Sequence, residues 1–167
     1  MTQRSIFRNS VLIGGVAVLV AIGVVAAQDD DSAARQWLSM GHDLSNSRNQ
    51  PFESQISPDN VGTLVTKWTY TTGGGDVSAT PTVADNAVYF PDWGGNLYAI
   101  NMTDGRIIWS HHIIDYTQRV GSMSRVSPAV FNDLLIVGDN MMKSVAQNGA
   151  HMMAVDRKTG EDRKSVV

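Results

Sequence analysis

The stretch that decides the fold is residues 78–109, which read SATPTVADNAVYFPDWGGNLYAINMTDGRIIW. Short apolar runs rich in Val, Ile, Tyr and Trp are separated in it by Asp85-Asn86, Gly94-Gly95-Asn96 and Asp104-Gly105. Such runs are typical of β-strands, and residues that tolerate positive φ are what tight hairpins need between strands. The stretch therefore predicts four consecutive antiparallel strands joined by short turns.

A second and longer copy of the same unit follows. It begins at residues 125–138 (RVSPAVFNDLLIVG) and resumes at residues 152–160 (MMAVDRKTG), after an insertion around Met141 to Asn148 that predicts an extended loop. The two copies agree in spacing at three pairs of positions, namely Pro81 with Pro128, Ala99 with Ala154, and Gly105 with Gly160. Four strands that recur at a period of about 40 to 50 residues are typical of β-propeller blades.

The fold class predicted for the chain after its first 27 residues is all-β, because no segment has the period and length of a helix. We expect a partial β-propeller of about two four-stranded blades plus a closing strand. The candidate strands are Leu64–Thr71, Ser78–Val83, Ala87–Pro91, Leu97–Asn101, Ile107–His111, Ser127–Phe131, Leu134–Gly138 and His151–Asp156.

The end of the first copy carries the pattern Ala99-x-Asn101-x-x-Asp104-Gly105-x-x-x-Trp109. It resembles the tryptophan-docking motif of propellers of the pyrroloquinoline-quinone (PQQ) type, in which the Trp packs against the neighbouring blade. The motif indicates the fold more than the activity, since non-enzymatic propellers carry it too. The second copy has Lys164 where the Trp belongs, and whether the residues after Gly160 belong to the native structure stays open.

The segment before the first copy carries a second pattern, with Trp37, Gly41-His42-Asp43 and Asn46-Ser47-Arg48, and then residues 53–64 leading to Trp68. It is similar to the opening segment of PQQ-dependent (quinoprotein) alcohol dehydrogenases, where this segment gives the outer strand that closes the propeller. Residues 76–81 and 89–98 are closest to the polyvinyl alcohol dehydrogenase branch. The resemblance implies an N-terminal fragment of an eight-bladed enzyme that uses PQQ and a divalent cation such as calcium.

Arg125 is the one site residue that the resemblance supplies, because enzymes of the methanol-oxidising type place a cofactor-contacting arginine just before the first strand of this blade. Three positions depart from that type: Arg119 and Val120 stand where it has adjacent cysteines, and Ser78 stands where it has a glutamate. The calcium ligands and the catalytic aspartate come from later blades. Catalytic residues and metal ligands are therefore not assigned within this sequence.

Other residues allow a functional or a structural interpretation. Trp68 and Trp109 are expected to be packing residues between blades, whereas Trp93, in a turn, could also face a flat ligand. Adjacent strand residues point to opposite faces, so His111 and His112 are not expected to converge on one metal ion. The Met pairs are expected to pack, and Gly73-Gly74-Gly75 lacks the Lys-Ser/Thr of a phosphate loop.

The N-terminus has the pattern of an export signal, with Arg4 and Arg8 before an uncharged run from Val11 to Ala27. Small residues at Val25-Ala26-Ala27 predict cleavage before Gln28, and an uncleaved N-terminal anchor is the alternative. The predicted organisation is a signal at 1–27 and a propeller at 28–167, outside the cytoplasm and in the periplasm. The net charge of −3 argues against nucleic acid binding. The absence of Cys argues against disulfides and covalently attached haem.

The function expected from the sequence is that of the N-terminal portion of a periplasmic quinoprotein dehydrogenase that oxidises an alcohol, with a cytochrome or another periplasmic electron acceptor as partner. Membrane contact is expected only through an uncleaved N-terminal segment. Two alternatives stay open: a non-catalytic propeller scaffold that binds other proteins of the cell envelope, and an inactive truncated fragment. The missing Cys favours the dehydrogenase, because propeller scaffolds of this kind are usually lipoproteins.

Overall fold

The computed structural model describes residues 35–141 and 150–166. The predicted signal at residues 1–27 lies outside the described residues, as does most of the insertion around Met141 to Asn148. In the described part of the chain no helix is long and apolar enough to cross a membrane. The fold is built almost entirely from antiparallel strands, as the sequence predicts.

The first four-stranded sheet follows chain order. Its strands are β1 (Thr82–Ala84), β2 (Ala87–Pro91), β3 (Asn96–Asn101) and β4 (Ile107–His112). The turns occur where the sequence places them: Asp85 and Asn86 have φ of 45° and 65°, and Gly95 and Gly105 have φ of 86° and 73°. These left-handed conformations explain why Asn, Asp and Gly stand between the apolar runs.

The second sheet repeats the first. It contains β6 (Ala129–Phe131), β7 (Leu134–Gly138), β9 (Met152–Asp156) and β10 (Asp162–Val166), again in chain order across the sheet. A small separate ladder joins β5 (Ser122–Met123) to β8 (Asn140–Met141). In β7 and β9 alternate residues are buried, because Leu135, Val137, Met153 and Val155 face the first sheet. The partial propeller of two four-stranded blades is therefore confirmed.

One local prediction was wrong. Leu64–Thr71 forms no strand, because no described strand lies beside it to complete a ladder. Its Trp68 and Tyr70 instead pack on the first sheet. The residues after Gly160, which the sequence leaves undecided, form strand β10, because its main chain pairs with β9 whatever side chain stands at Lys164. Short helices also occur, a 3-10 turn at Val61–Thr63 and helix α1 at Ile113–Thr117, the latter in the link between the two sheets.

The two sheets are held together by Trp109, as the docking motif predicts. Its indole is buried and its Nε1 donates a hydrogen bond to the Arg157 carbonyl at 3.0 Å. The ring lies over Gly160, where a Cβ atom would come 2.9 Å from it. Trp68 makes the same contact one repeat earlier, with Nε1 2.8 Å from the Met102 carbonyl and its ring over Gly105. Both tryptophans are therefore packing residues.

Candidate functional site

The starts of β1 and β6 lie side by side, and this places the two repeats in register. The Thr80 N–H donates to Ser127 Oγ at 2.8 Å, and Thr82 Oγ1 donates to the Pro128 carbonyl. Ser78 and Arg125 each stand three residues before the proline of their own repeat. These equivalent positions are therefore brought to the same end of the two sheets.

Trp93 lies between these two positions, in the turn from β2 to β3. Its Nε1 donates to Ser78 Oγ at 2.9 Å, and its main-chain N–H donates to the Asp76 carbonyl at 2.9 Å. The guanidinium carbon of Arg125 lies 5.9 Å from the centre of the indole. Ser78, Trp93 and Arg125 therefore form one cluster, which we call the Trp93 cluster.

Arg125 is an exposed cation in this cluster. In residues 35–141 and 150–166 no carboxylate lies within 4.0 Å of its guanidinium, which lies instead over the indole face of Trp93. A guanidinium held on an aromatic face keeps its charge and its fork of N–H donors. Such a group is suited to binding an anion, above all a planar carboxylate.

The turn that contains Trp93 also contains a buried, hydrogen-bonded carboxylate. Asp92 is fully buried and accepts hydrogen bonds from the Asn96 main-chain N–H at 2.9 Å, from Asn96 Nδ2 and from the Tyr98 hydroxyl at 2.9 Å. Burial, and then the hydrogen bond to Asp92, raise the pKa of Tyr98 to about 12. The hydroxyl therefore keeps its proton and continues to donate to Asp92 at neutral pH.

The second sheet repeats this arrangement with Asp139 and His151. Asp139 follows β7 as Asp92 follows β2, and His151 precedes β9 as Asn96 begins β3. The His151 main-chain N–H donates to Asp139 Oδ1, His151 Nδ1 lies 3.0 Å from Asp139 Oδ2, and Ser122 Oγ donates to the same oxygen at 3.4 Å. Both side chains of the pair are buried. One sequence feature marks these groups, an aspartate directly after the second strand of each repeat.

Other residues singled out in the sequence lie elsewhere. His111 Nε2 is 3.1 Å from the Thr159 carbonyl of the second sheet, while His112 is exposed. Val120 is exposed, and Arg119 lies partly buried in the link between the sheets. Within the described ranges no three His, Asp or Glu side chains lie close enough together to hold a metal ion. A cavity lined by Gln36, Leu38, His42 and Phe52 does not include the Trp93 cluster.

The family model described as the PQQ glucose/ethanol/alcohol dehydrogenase β-propeller domain matches residues 37–165. The chain belongs to this family. The match covers both sheets and the segment before them, so membership in the PQQ β-propeller family accounts for nearly all of the described residues. It also agrees with the docking motif and the opening segment that were recognised in the sequence.

The individual proteins to which the chain is similar are longer than it. The chain is 30% identical over 146 residues to the quinohemoprotein alcohol dehydrogenase ADH-IIG of Pseudomonas putida, which covers 82% of the chain and 20% of that relative. A match of 34% over 59 residues to the outer membrane protein assembly factor BamB of Francisella salina covers 32% of the chain and 11% of the relative. The chain thus spans about a fifth or less of the curated relatives it matches.

The fold also agrees with a solved structure. A europium-containing methanol dehydrogenase superimposes with a TM-score of 0.57 at 16% sequence identity, over 80% of this chain and 32% of that one. At this identity the likeness concerns the fold alone. It supports the interpretation of the two sheets as neighbouring propeller blades.

Proposed function

We propose that this chain is the N-terminal part of a periplasmic quinoprotein that oxidises an alcohol with PQQ, and that Arg125 contacts the cofactor. The observation that carries the proposal is the Trp93 cluster, which presents an exposed guanidinium that has no carboxylate partner among the described residues, in a chain of the PQQ β-propeller family. PQQ is a flat molecule with several carboxylates, and a planar fork of N–H donors fits such a group.

When bound, PQQ supplies the two-electron oxidation of the alcohol, and the protein supplies orientation and electrostatics. Arg125 would bind an anionic edge of the cofactor, and its positive charge would favour the electron-rich reduced form. A divalent cation such as calcium is part of the proposal, but residues 35–141 and 150–166 contain no group of three or more His, Asp or Glu side chains that could hold it. The catalytic base is likewise not assigned to any residue of this chain.

The substrate proposed is an alcohol of the secondary or polymeric kind, such as polyvinyl alcohol. This rests on the resemblance of residues 76–81 and 89–98 to the polyvinyl alcohol dehydrogenase branch. The electron acceptor proposed is a periplasmic cytochrome, and the quinohemoprotein named among the relatives supports that choice. Export by the segment at 1–27, whether it is cleaved or stays as an anchor, belongs to the same proposal.

Replacing Arg125 by Ala in the full-length protein is expected to weaken PQQ binding at least about tenfold, because a hydrogen bond to a charged group contributes about 1.5 to 3 kcal/mol. Arg125→Lys should recover only part of the affinity, since an ammonium lacks the fork. The measurement is a titration of the apoprotein with PQQ.

Arg106→Ala is the matched control for this titration. Arg106 is a highly exposed arginine in the turn before β4, at the opposite end of the first sheet, and its removal should leave PQQ affinity unchanged. Wild-type affinity in Arg125→Ala would remove Arg125 from the cofactor site.

A second candidate function is a non-catalytic scaffold that binds envelope proteins. The match of a 59-residue segment to an outer membrane assembly factor favours it. The two candidates differ in one measurable property, because a scaffold has no need of PQQ. Failure of the full-length wild-type protein to bind PQQ or to reduce a dye with it would favour the scaffold.

A further inference from the structure

We infer that Trp93 is a positioning residue, which holds the Arg125 guanidinium in place for an anionic planar cofactor, with Ser78 fixing the indole from its other side. This inference rests on the proposed function, since the anion in question is PQQ. It assigns a role to Trp93, for which the resemblance to quinoprotein dehydrogenases supplies none. It also assigns a role to Ser78, which stands where the methanol-oxidising type has a glutamate.

The first step of the argument is that Arg125 needs a means of positioning. It stands on an exposed loop before β6, and a long arginine side chain loses much rotamer freedom when it is fixed. A carboxylate partner would fix it but would also neutralise it toward an anionic ligand. Stacking on an indole restricts the guanidinium while leaving its charge and donors available, and is expected to improve ligand affinity about two- to fivefold.

The second step is that Trp93 is itself held in place. Its Nε1 donates to Ser78 Oγ and its main-chain N–H donates to the Asp76 carbonyl, so residues that precede β1 fix both the side chain and the main chain of Trp93. The preceding residue, Asp92, is anchored by three donor groups from Asn96 and Tyr98. The indole therefore presents a fixed face to Arg125.

The third step is the chain of contacts across the two repeats. Ser78 and Arg125 occupy equivalent positions, and one indole contacts both of them, the first through its Nε1 edge and the second through its face. A cofactor that binds Arg125 is thus linked to the loop before β1 of the neighbouring blade. This predicts that the effects of Ser78 and Trp93 on PQQ affinity depend on the presence of Arg125.

The experiment is a double-mutant cycle on PQQ affinity in the full-length apoprotein. Trp93→Leu should weaken binding about two- to fivefold, and Trp93→Phe, which keeps an aromatic face, should recover most of that loss. In an Arg125→Ala background, Trp93→Leu should have no further effect. An equal loss with and without Arg125 would mean that Trp93 acts independently of the guanidinium and would overturn the inference.

Ser78 provides a second test that does not need Trp93→Leu to fold. Ser78→Ala should weaken PQQ binding up to about twofold in the wild-type background and not at all in Trp93→Phe, because phenylalanine has no N–H for the hydroxyl to accept. Ser78→Thr, which keeps the hydroxyl, is the control. A Ser78→Ala effect of the same size in Trp93→Phe would contradict the role of Ser78.

The outcomes separate this inference from the proposed function. If the wild-type protein binds no PQQ, the proposed function fails and the inference fails with it. If Arg125→Ala weakens binding while Trp93→Leu leaves it unchanged, the cofactor site stands and only the role of Trp93 is wrong. Near-ultraviolet circular dichroism of wild type and Ser78→Ala, with and without PQQ, checks that loss of the Ser78 hydroxyl changes the environment of the Trp93 indole.

Discussion

Replacing Trp109 by Ala is expected to lower the free energy of unfolding of the full-length protein by roughly 3 to 5 kcal/mol. The indole is 8% exposed and lies between the two sheets, with ring centres of Tyr89 at 6.1 Å and His111 at 5.6 Å. Its removal leaves a cavity against Gly160, and the Arg157 carbonyl loses its N–H donor. Denaturant unfolding of wild type and variant gives the difference.

Ile108→Ala is the matched control for Trp109→Ala. Ile108 is the preceding residue of β4, and it is 46% exposed, so its truncation should cost much less. A second comparison separates volume from the hydrogen bond: Trp109→Phe keeps most of the buried ring but has no N–H, and should cost less than Trp109→Ala. Equal losses for Trp109→Ala and Ile108→Ala would mean that Trp109 does not hold the blades together.

The Trp109 contact shows which part of the fold could be predicted from the sequence. In each repeat the glycine of the docking motif, Gly105 or Gly160, follows the third strand of its sheet at the same spacing. The indole of the preceding tryptophan, Trp68 or Trp109, lies over that glycine. Such contacts repeat with the sequence because each blade is built alike. The sequence leaves the strand after Gly160 undecided for a related reason, since a main-chain ladder forms at Lys164 without the Trp that marks this position in the motif.

The Trp93 cluster could be predicted only in part. The resemblance predicts a site role for Arg125, whereas Ser78 stands out in the sequence only as a departure from the methanol-oxidising type. Their meeting at one indole depends on the turn from β2 to β3 and on how two loops 47 residues apart in the chain are aligned by Thr80 and Ser127. Such long-range alignment follows from packing between sheets, and no local sequence pattern predicts it.

Asp139→Ala is expected to lower the free energy of unfolding by about 2 to 4 kcal/mol, because each buried donor left without an acceptor costs about 1 to 3 kcal/mol. Asp139 accepts the His151 main-chain N–H and the Ser122 hydroxyl, and it lies beside His151 Nδ1 in a site closed to solvent. Urea unfolding of the full-length protein measures the loss.

The repeat itself supplies the test of specificity for this pair. In the first sheet Asn96 occupies the position of His151, and its Nδ2 binds Asp92 at 3.0 and 3.1 Å. His151→Asn should therefore keep most of the stability, because an amide can donate to Asp139 as Asn96 does to Asp92. Asp133→Ala, at an exposed aspartate in the turn between β6 and β7, is the control for loss of a charge. If Asp139→Ala costs no more than Asp133→Ala, the buried carboxylate does not stabilise the second blade, and its likeness to Asp92 is one of position alone.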